Sequence, residues 1–321
     1  MALLEVKELA VSFPAPDGRV RVLDGVDFSL DEGEILGIVG ESGSGKTMTA
    51  LSVLQLLPPA ARIEAGEVAF SGRDLLRLDR RALNRVRGRD ISMIFQNPRG
   101  SLNPLYRVET TLEQVLRTHR GLKGAAARRR SVELLTDVGL NDPERILRRY
   151  PHELSGGMCQ RVMIAFAFAS NPRLLIADEP TTALDVTLQL QIIELLGRLV
   201  REHGLTLVLI THNLGVVAEL CHRVLVMYLG RVVEEAPVLD LFDNPRHPYT
   251  VGLLGSRPTV HVGGQLHAVP GTVPDLRHRP SGCVFHPRCH LARPVCAEQA
   301  PLHETIAAGH AVECHFWEEV A

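Results

Sequence analysis

The sequence predicts an open α/β fold whose strands deliver their loops to one ligand-binding edge. Three observations carry that expectation. The apolar run Ile35-Leu36-Gly37-Ile38-Val39 leads into Gly40-Glu41-Ser42-Gly43-Ser44-Gly45-Lys46-Thr47, and Met48 to Leu54 then reads as a helix. A second apolar run, Leu174-Leu175-Ile176-Ala177, ends in the carboxylates Asp178 and Glu179. A third, Leu205 to Ile210, ends in Thr211-His212. Short apolar runs that end in glycine, carboxylate or histidine, with helical stretches between them, are the pattern of sheets that bind at strand C-termini.

Taken in order, residues 1–39 read as strands: Leu3 to Lys7 and Val20 to Leu23 are short apolar runs around a Pro16-Asp17-Gly18 turn. Pro58-Pro59 breaks the chain after the first helix, and Gly66 to Gly72 is a strand between glycines. The stripe Leu75, Leu76, Leu78, Leu83 and Val86 predicts a helix over 74–87. Ile91 to Phe95 is the next strand and runs into Gln96-Asn97-Pro98. Residues 105–150 read as helix-rich, with polar connectors at Gly121–Gly124 and Gly139–Pro143. Ser155-Gly156-Gly157 opens a long helix, then comes the carboxylate-tipped strand, a helix from Val186 to about His203, and the strand ending at Thr211-His212. Val224–Tyr228 and Arg231–Glu235 form a hairpin around Leu229-Gly230.

Bulk properties narrow the function classes. The chain has 321 residues, room for one large domain and an appendage, and its net charge of −2 gives no global field for nucleic acid. The clusters Arg80–Arg89 and Arg128-Arg129-Arg130 read as solvated helix faces. No secretory leader is visible and no apolar run spans a bilayer; Val162 to Ala169 reads as a buried helix. The expected location is the cytoplasm, with any membrane role peripheral.

Gly40–Thr47 fits the phosphate-binding pattern G-x-x-x-x-G-K-[ST] in the strand–loop–helix context it requires. The glycines let successive N–H groups curl inward, and the helix start adds partial positive charge. Lys46 then serves the β- and γ-phosphates, and the Thr47 hydroxyl serves Mg²⁺. Asp178 is placed to hold Mg²⁺, and Glu179 to polarise a water. Other signals stay open on residue type alone. Gln96 is a metal- and water-orienting amide or a plain loop residue. Ser155 is a helix cap or a second anion site, His212 a phosphate sensor or a structural histidine, and Phe13 a base-stacking or a packing aromatic.

The order of these motifs resembles the ATP-binding subunits of ABC transporters, over residues 1 to about 255. The resemblance makes Gly40–Thr47 a Walker A loop, Gln96 the Q-loop glutamine, Leu154–Gln160 the signature segment, Leu174–Glu179 Walker B, Thr182–Asp185 the D-loop and His212 the switch histidine. It places Phe13 at the adenine-stacking position, and Met158 stands where the signature usually carries glutamine. It implies a RecA-like core with an antiparallel β subdomain, an inserted helical subdomain at about 97–165, and ATP with Mg²⁺ as ligands. The implied ATP-contacting set is Phe13, Gly40, Ser42, Gly43, Ser44, Gly45, Lys46, Thr47, Met48, Gln96, Ser155, Gly156, Gly157, Asp178, Glu179 and His212, with Thr47, Gln96 and Asp178 on Mg²⁺. Catalysis falls to Glu179, His212, Gln96 and Lys46. Phe95–Pro98, Ser101–Pro104, His247–Thr250 and Gly282–Cys289 further resemble the dipeptide, oligopeptide and nickel importer subgroup. Implied partners are a second ATPase subunit, identical or paralogous, two permease subunits and an extracytoplasmic solute-binding protein, at the cytoplasmic face of the membrane. The alternatives are a nickel or other small-solute importer ATPase of the same subgroup, or a soluble ABC ATPase without a transport role.

Residues 256–321 change character: apolar periodicity is lost, and eight of the fourteen histidines lie there. Cys283, Cys289, Cys296 and Cys314 are separated by five, six and seventeen residues. Four thiolates hold a [4Fe–4S] cluster or a tetrahedral Zn²⁺, or else pack unliganded. The resemblance to importer ATPases with a cluster in this tail favours [4Fe–4S], with Zn²⁺ as the alternative. Cys159 and Cys221 fall in helical regions and read as packed thiols.

Overall fold

A computed structural model describes residues 2–182, 184–256 and 269–320. Its strands are β1 (Leu4–Ala15), β2 (Gly18–Leu30), β3 (Ile35–Val39), β4 (Arg62–Phe70), β5 (Arg73–Asp74), β6 (Ile91–Ile94), β7 (Leu174–Asp178), β8 (Thr206–Ile210), β9 (Arg223–Tyr228), β10 (Arg231–Pro237), β11 (Glu304–Ala307) and β12 (His310–Val312). The chain divides into two compact units, one of Met1–Asp31, Ile35–Leu76 and Thr211–Ala321, the other of Glu32–Glu34 and Arg77–Ile210.

In the first unit, β2-β1-β4-β5 form an antiparallel sheet. Pairing runs from Leu4 opposite Leu30 to Ala15 opposite Gly18, so Pro16 and Asp17 are the two-residue hairpin loop. The first two strands are therefore much longer than their apolar runs suggest. Cross-strand pairing continues through the polar positions, Ser12 opposite Arg21 and Pro14 opposite Arg19. The same unit carries the order β11-β12-β10-β9-β3, in which β3 and β9 run parallel and β9-β10 is the expected hairpin. The tail joins here: β12 pairs with β10 through Glu234–Val312 and Glu235–Ala311.

The second unit holds β8-β7-β6, all parallel. Leu174, Leu175, Ile176 and Ala177 are each at most 1% exposed, and burying each large side chain contributes about 1.5–3 kcal/mol. Helices Val108–Arg120, Gly124–Asp137 and Pro143–Leu147 fill the stretch read as helix-rich, and Gly156–Phe168 is the long helix expected after Ser155. Arg128 is paired with Glu109 and Glu144, and Arg130 with Glu133 and Asp137, so much of that basic run is neutralised within the chain. The helix Val186–His203 starts where the Asp185 carboxylate accepts from Leu188 N–H (2.9 Å) and stops at Gly204, φ 61°. No described helix is long and apolar enough to cross a membrane.

One expectation is corrected. The helix predicted over 74–87 spans only Arg80–Val86. Asp74 accepts from Leu76 N–H (2.9 Å) and makes a turn, while Asp79 accepts from Ala82 N–H (2.7 Å) and caps the helix there. Leu75 is buried from outside the helix.

Candidate functional site

The first unit places the phosphate loop between β3 and the helix Lys46–Val53. Gly40 has φ 149°, and a Cβ there would lie 2.2 Å from Met227 O; Gly45 has φ 107°, with Leu23 Cδ2 2.8 Å from such a Cβ. Only glycine takes both the torsion and the contact, which forces the loop to curl. Gly45 is also the helix N-cap and has no side-chain cap hydrogen bond, so a ligand can meet the first amides. Lys46 is buried, and its Nζ donates to Gly40 O (2.7 Å) and Glu41 O (3.0 Å). Ser44 is buried, while Ser42, Gly43 and Thr47 are exposed and Met48 is half-buried. Phe13 is half-buried on β1 opposite Val20. His212 is exposed, and Thr211 N–H before it donates to Ile38 O (3.3 Å).

The second unit brings the carboxylates and the glutamine together. Asp178 closes β7 and is 2% exposed. Glu179 follows at φ 46°, a left-handed backbone that is costly for a glutamate; its N–H donates to Ile210 O (2.9 Å). The bend turns the chain out of the strand register. Gln96 Nε2 donates to Glu179 Oε2 (3.0 Å), and Thr182 Oγ1 donates to the same oxygen (2.7 Å). Two donors on one oxygen hold the carboxylate in a fixed orientation. Ala183, in the segment read as a D-loop, lies outside the described residues.

Ser155 sits where expected, as N-cap of Gly156–Phe168, with Oγ accepting from Met158 N–H (3.3 Å). Gly157 is buried under Leu188, whose Cδ1 would lie 3.0 Å from an added Cβ. Met158 is half-buried, and Cys159 is buried with its thiol near Pro151 O.

In the tail, Cys283, Cys289, Cys296 and Cys314 line one small cavity of about 10 Å³, closed by Phe285, Leu291 and Phe316. Burial, first of all, pushes the Cys283 thiol up to about 11 and the Cys314 thiol up to about 12, and neighbouring cysteines add to the rise. Phe316 N–H donates to Cys314 Sγ (3.4 Å). Among the described residues no three His, Cys, Asp or Glu side chains are grouped as a single metal ion requires. His310 donates to Glu234 (2.9 Å), while His286 and His315, which line the same cavity, donate to Cys283 O (2.9 Å) and Gln299 O (3.0 Å).

Sequence reasoning missed a buried network in the first unit. The Arg288 guanidinium grips the carboxylate of Glu41, the second residue of the phosphate loop, and Tyr249 Oη accepts from Glu41 N–H (2.7 Å). Glu234, 0% exposed, accepts from Arg246 N–H (2.6 Å), His247 N–H (3.0 Å) and His310 Nε2 (2.9 Å). The only prior signal was that Tyr249 and Arg288 lie in the two stretches Gly282–Cys289 and His247–Thr250. Sequence spacing gave no hint that these meet the loop some two hundred residues earlier.

Comparison with known proteins agrees with this geometry. Residues 23–182 match the family described as ABC transporter, and residues 233–296 match the oligopeptide/dipeptide transporter C-terminal region. The chain is 50% identical over 315 residues to a probable peptide ABC transporter ATP-binding protein of Sinorhizobium fredii, covering 97% of this chain and 94% of the relative. It is 48% identical over 314 residues to the oligopeptide transport ATP-binding protein of Bacillus subtilis, covering 97% and 88%. Against the dipeptide transport ATP-binding protein of Haemophilus influenzae it is 46% identical over 316 residues, covering 98% and 96%. A dimeric ATP-binding cassette solved in a post-hydrolysis state with ADP and Pi superposes with TM-score 0.67 at 31% identity, over 73% of this chain and 98% of that one. With a phosphate loop, a carboxylate-tipped strand and full-length identity all in agreement, the chain belongs to the ABC transporter ATP-binding proteins, P-loop ATPases, in the branch that carries the oligopeptide/dipeptide transporter C-terminal region.

Proposed function

We propose that this chain hydrolyses ATP to energise the import of di- or oligopeptides through separate membrane subunits. The observation that carries the hydrolytic role is Glu179, bent out of β7 and oriented by Gln96 and Thr182. A carboxylate so held polarises an attacking water as general base. Lys46 and the loop amides of Gly43, Ser44, Gly45, Thr47 and Met48 hold the β- and γ-phosphates, with Gly40 and Ser42 shaping the approach. Phe13 stacks on the base, and His212 senses the terminal phosphate. Thr47, Asp178 and Gln96 would hold Mg²⁺, which offsets the charge of the phosphates. Ser155-Gly156-Gly157 of a second ATPase subunit completes each site, so that ATP binding closes two subunits and hydrolysis opens them.

Residues 1–255 act as the nucleotide-binding domain, with the helical subdomain at about 97–165 passing motion to two permease subunits. Residues 256–321 are its metal-binding extension, although 257–268 lie outside the described residues. The peptide cargo is supported by relatives at 46–50% identity that are named for peptide, oligopeptide and dipeptide transport. An extracytoplasmic solute-binding protein selects that cargo, and the chain works at the cytoplasmic face of the cell membrane.

For the four cysteines we favour a [4Fe–4S] cluster over zinc, on the resemblance to importer ATPases that carry one in this tail. Around one Zn²⁺ the sulfurs would stand about 3.8 Å apart, from a Zn–S distance of about 2.3 Å in a tetrahedron. Among the described residues no three His, Cys, Asp or Glu side chains are grouped in that way. A cluster takes each thiolate on a different iron, and all four cysteines line one cavity, beside His247, His286 and His315. When bound, it supplies a crosslink to a segment poor in apolar residues.

Uptake in cells lacking this chain tests the reading. Loss of labelled tripeptide uptake, restored by the wild type and not by Glu179→Gln, is expected. Intact peptide uptake with lost nickel uptake would overturn the peptide assignment.

A further inference from the structure

We propose that Arg288, in the cysteine-bearing tail, is a positioning residue that clamps the phosphate loop into its binding shape through Glu41. The inference rests on the reading that this loop binds ATP. The Arg288 side chain is only 4% exposed. Its Nη1 donates to Glu41 Oε2 (2.6 Å) and its Nη2 to Glu41 Oε1 (3.1 Å), a two-pronged pairing that a lysine cannot reproduce. The remaining donors are also used: Nε on Pro270 O (2.8 Å) and Nη1 on Tyr228 Oη (3.3 Å). The guanidinium lies 5.7 Å from the Tyr228 ring centre and 5.9 Å from that of Phe285.

Glu41 is thereby held at three points. Arg288 takes its carboxylate, Tyr249 Oη takes its N–H (2.7 Å), and Lys46 Nζ takes its C=O (3.0 Å). Its peptide N–H is turned to Tyr249, and its carbonyl also accepts from Ser44 N–H (3.2 Å). The first turn of the loop is thus set by groups of the chain itself. Tyr228 and Tyr249 pack at 4.8 Å, and Phe285 stands against both at 5.2 and 5.4 Å, so the clamp sits on a rigid aromatic base. A loop fixed in advance loses less conformational freedom on binding, which appears as affinity. Arg288 lies between Phe285 and Cys289 in sequence, so the tail contributes directly to the order of the nucleotide loop.

The test is nucleotide affinity of the purified full chain, read with a fluorescent ATP analogue, beside thermal melting. Arg288→Gln and Glu41→Gln each weaken binding about tenfold, and the double variant is no weaker than either single one, because both remove the same clamp. Arg288→Lys recovers little. Tyr249→Phe keeps the ring and removes only the Glu41 N–H acceptor. It weakens binding in a chain that still folds, at a melting temperature lowered only by one lost hydrogen bond, and serves if Arg288→Gln fails to fold. Lys46→Ala checks the underlying reading: retained binding there would overturn the nucleotide site and this inference with it. If Lys46→Ala loses binding while Tyr249→Phe and folded Arg288→Gln bind as the wild type does, the clamp is structural and the inference alone falls. Additive losses in the double variant would overturn it equally.

Discussion

Glu234→Ala should destabilise the chain by about 4 kcal/mol, and the figure comes from three contacts. Glu234 lies on β10 with no exposed surface, paired with Val312 of the tail and Val226 of β9. Its Oε1 accepts from Arg246 N–H and His310 Nε2, and its Oε2 from His247 N–H. Removing the carboxylate strands three donors, each costing about 1–3 kcal/mol when no water can replace the acceptor. Arg246 is half-buried, so water repairs part of its loss and the sum falls toward the lower end of the range. Glu234→Gln keeps one acceptor oxygen and should cost about 1–2 kcal/mol. Urea unfolding with unchanged slope, and faster hydrogen exchange at the amides of 246 and 247, would report it. The damage should reach the phosphate loop, because His247 Nδ1 accepts from Tyr249 N–H (3.0 Å) and Tyr249 holds Glu41. Folded Glu234→Ala should therefore bind ATP more weakly than Glu234→Gln does. If both variants cost under about 1 kcal/mol, or alanine costs no more than glutamine, the carboxylate is not the organiser that its contacts make it.

Other outcomes follow from the same geometry. Glu179→Gln should bind ATP and lose turnover in a phosphate-release assay; near-normal release would remove Glu179 from its role. Protein purified without oxygen should be brown, and Cys314→Ser should bleach it, whereas colourless protein with one zinc per chain would refute the cluster. Burial, reinforced by Arg89, holds the His119 imidazole below its usual value. The unfolded chain then binds the proton first, so this residue costs stability as pH falls from about 6.5, and His119→Gln should flatten the dependence of the urea midpoint on acidity.

Much of the fold was legible because local signals agreed with the tertiary outcome. Leu174–Ala177 is a continuous apolar run because its strand is buried, and the hairpin of β9 and β10 carries its own Leu229-Gly230 turn. The helix over 74–87 misled because the leucine stripe there is shared by a turn and a shorter helix; Asp74 and Asp79, whose side chains bond the backbone, decided the boundary. The antiparallel strands β1 and β2 ran past their apolar segments for a related reason. Pairing partners on both sides of β1 support polar residues that propensity alone leaves out.

The sequence by itself determined the chemistry of the loop. Gly40–Thr47 carries the full phosphate-binding pattern, Lys46 and Thr47 open the helix after it, and Asp178 and Glu179 end an apolar run whose burial is written in its residues. What only the tertiary structure decided is which distant groups hold those residues still. Gln96 meets Glu179 across 83 residues, and Arg288 meets Glu41 across 247. Neither pairing has a period or a local motif. Both meetings are fixed by packing, and Arg288 in particular enters the interior only because the folded chain has assembled its partner there.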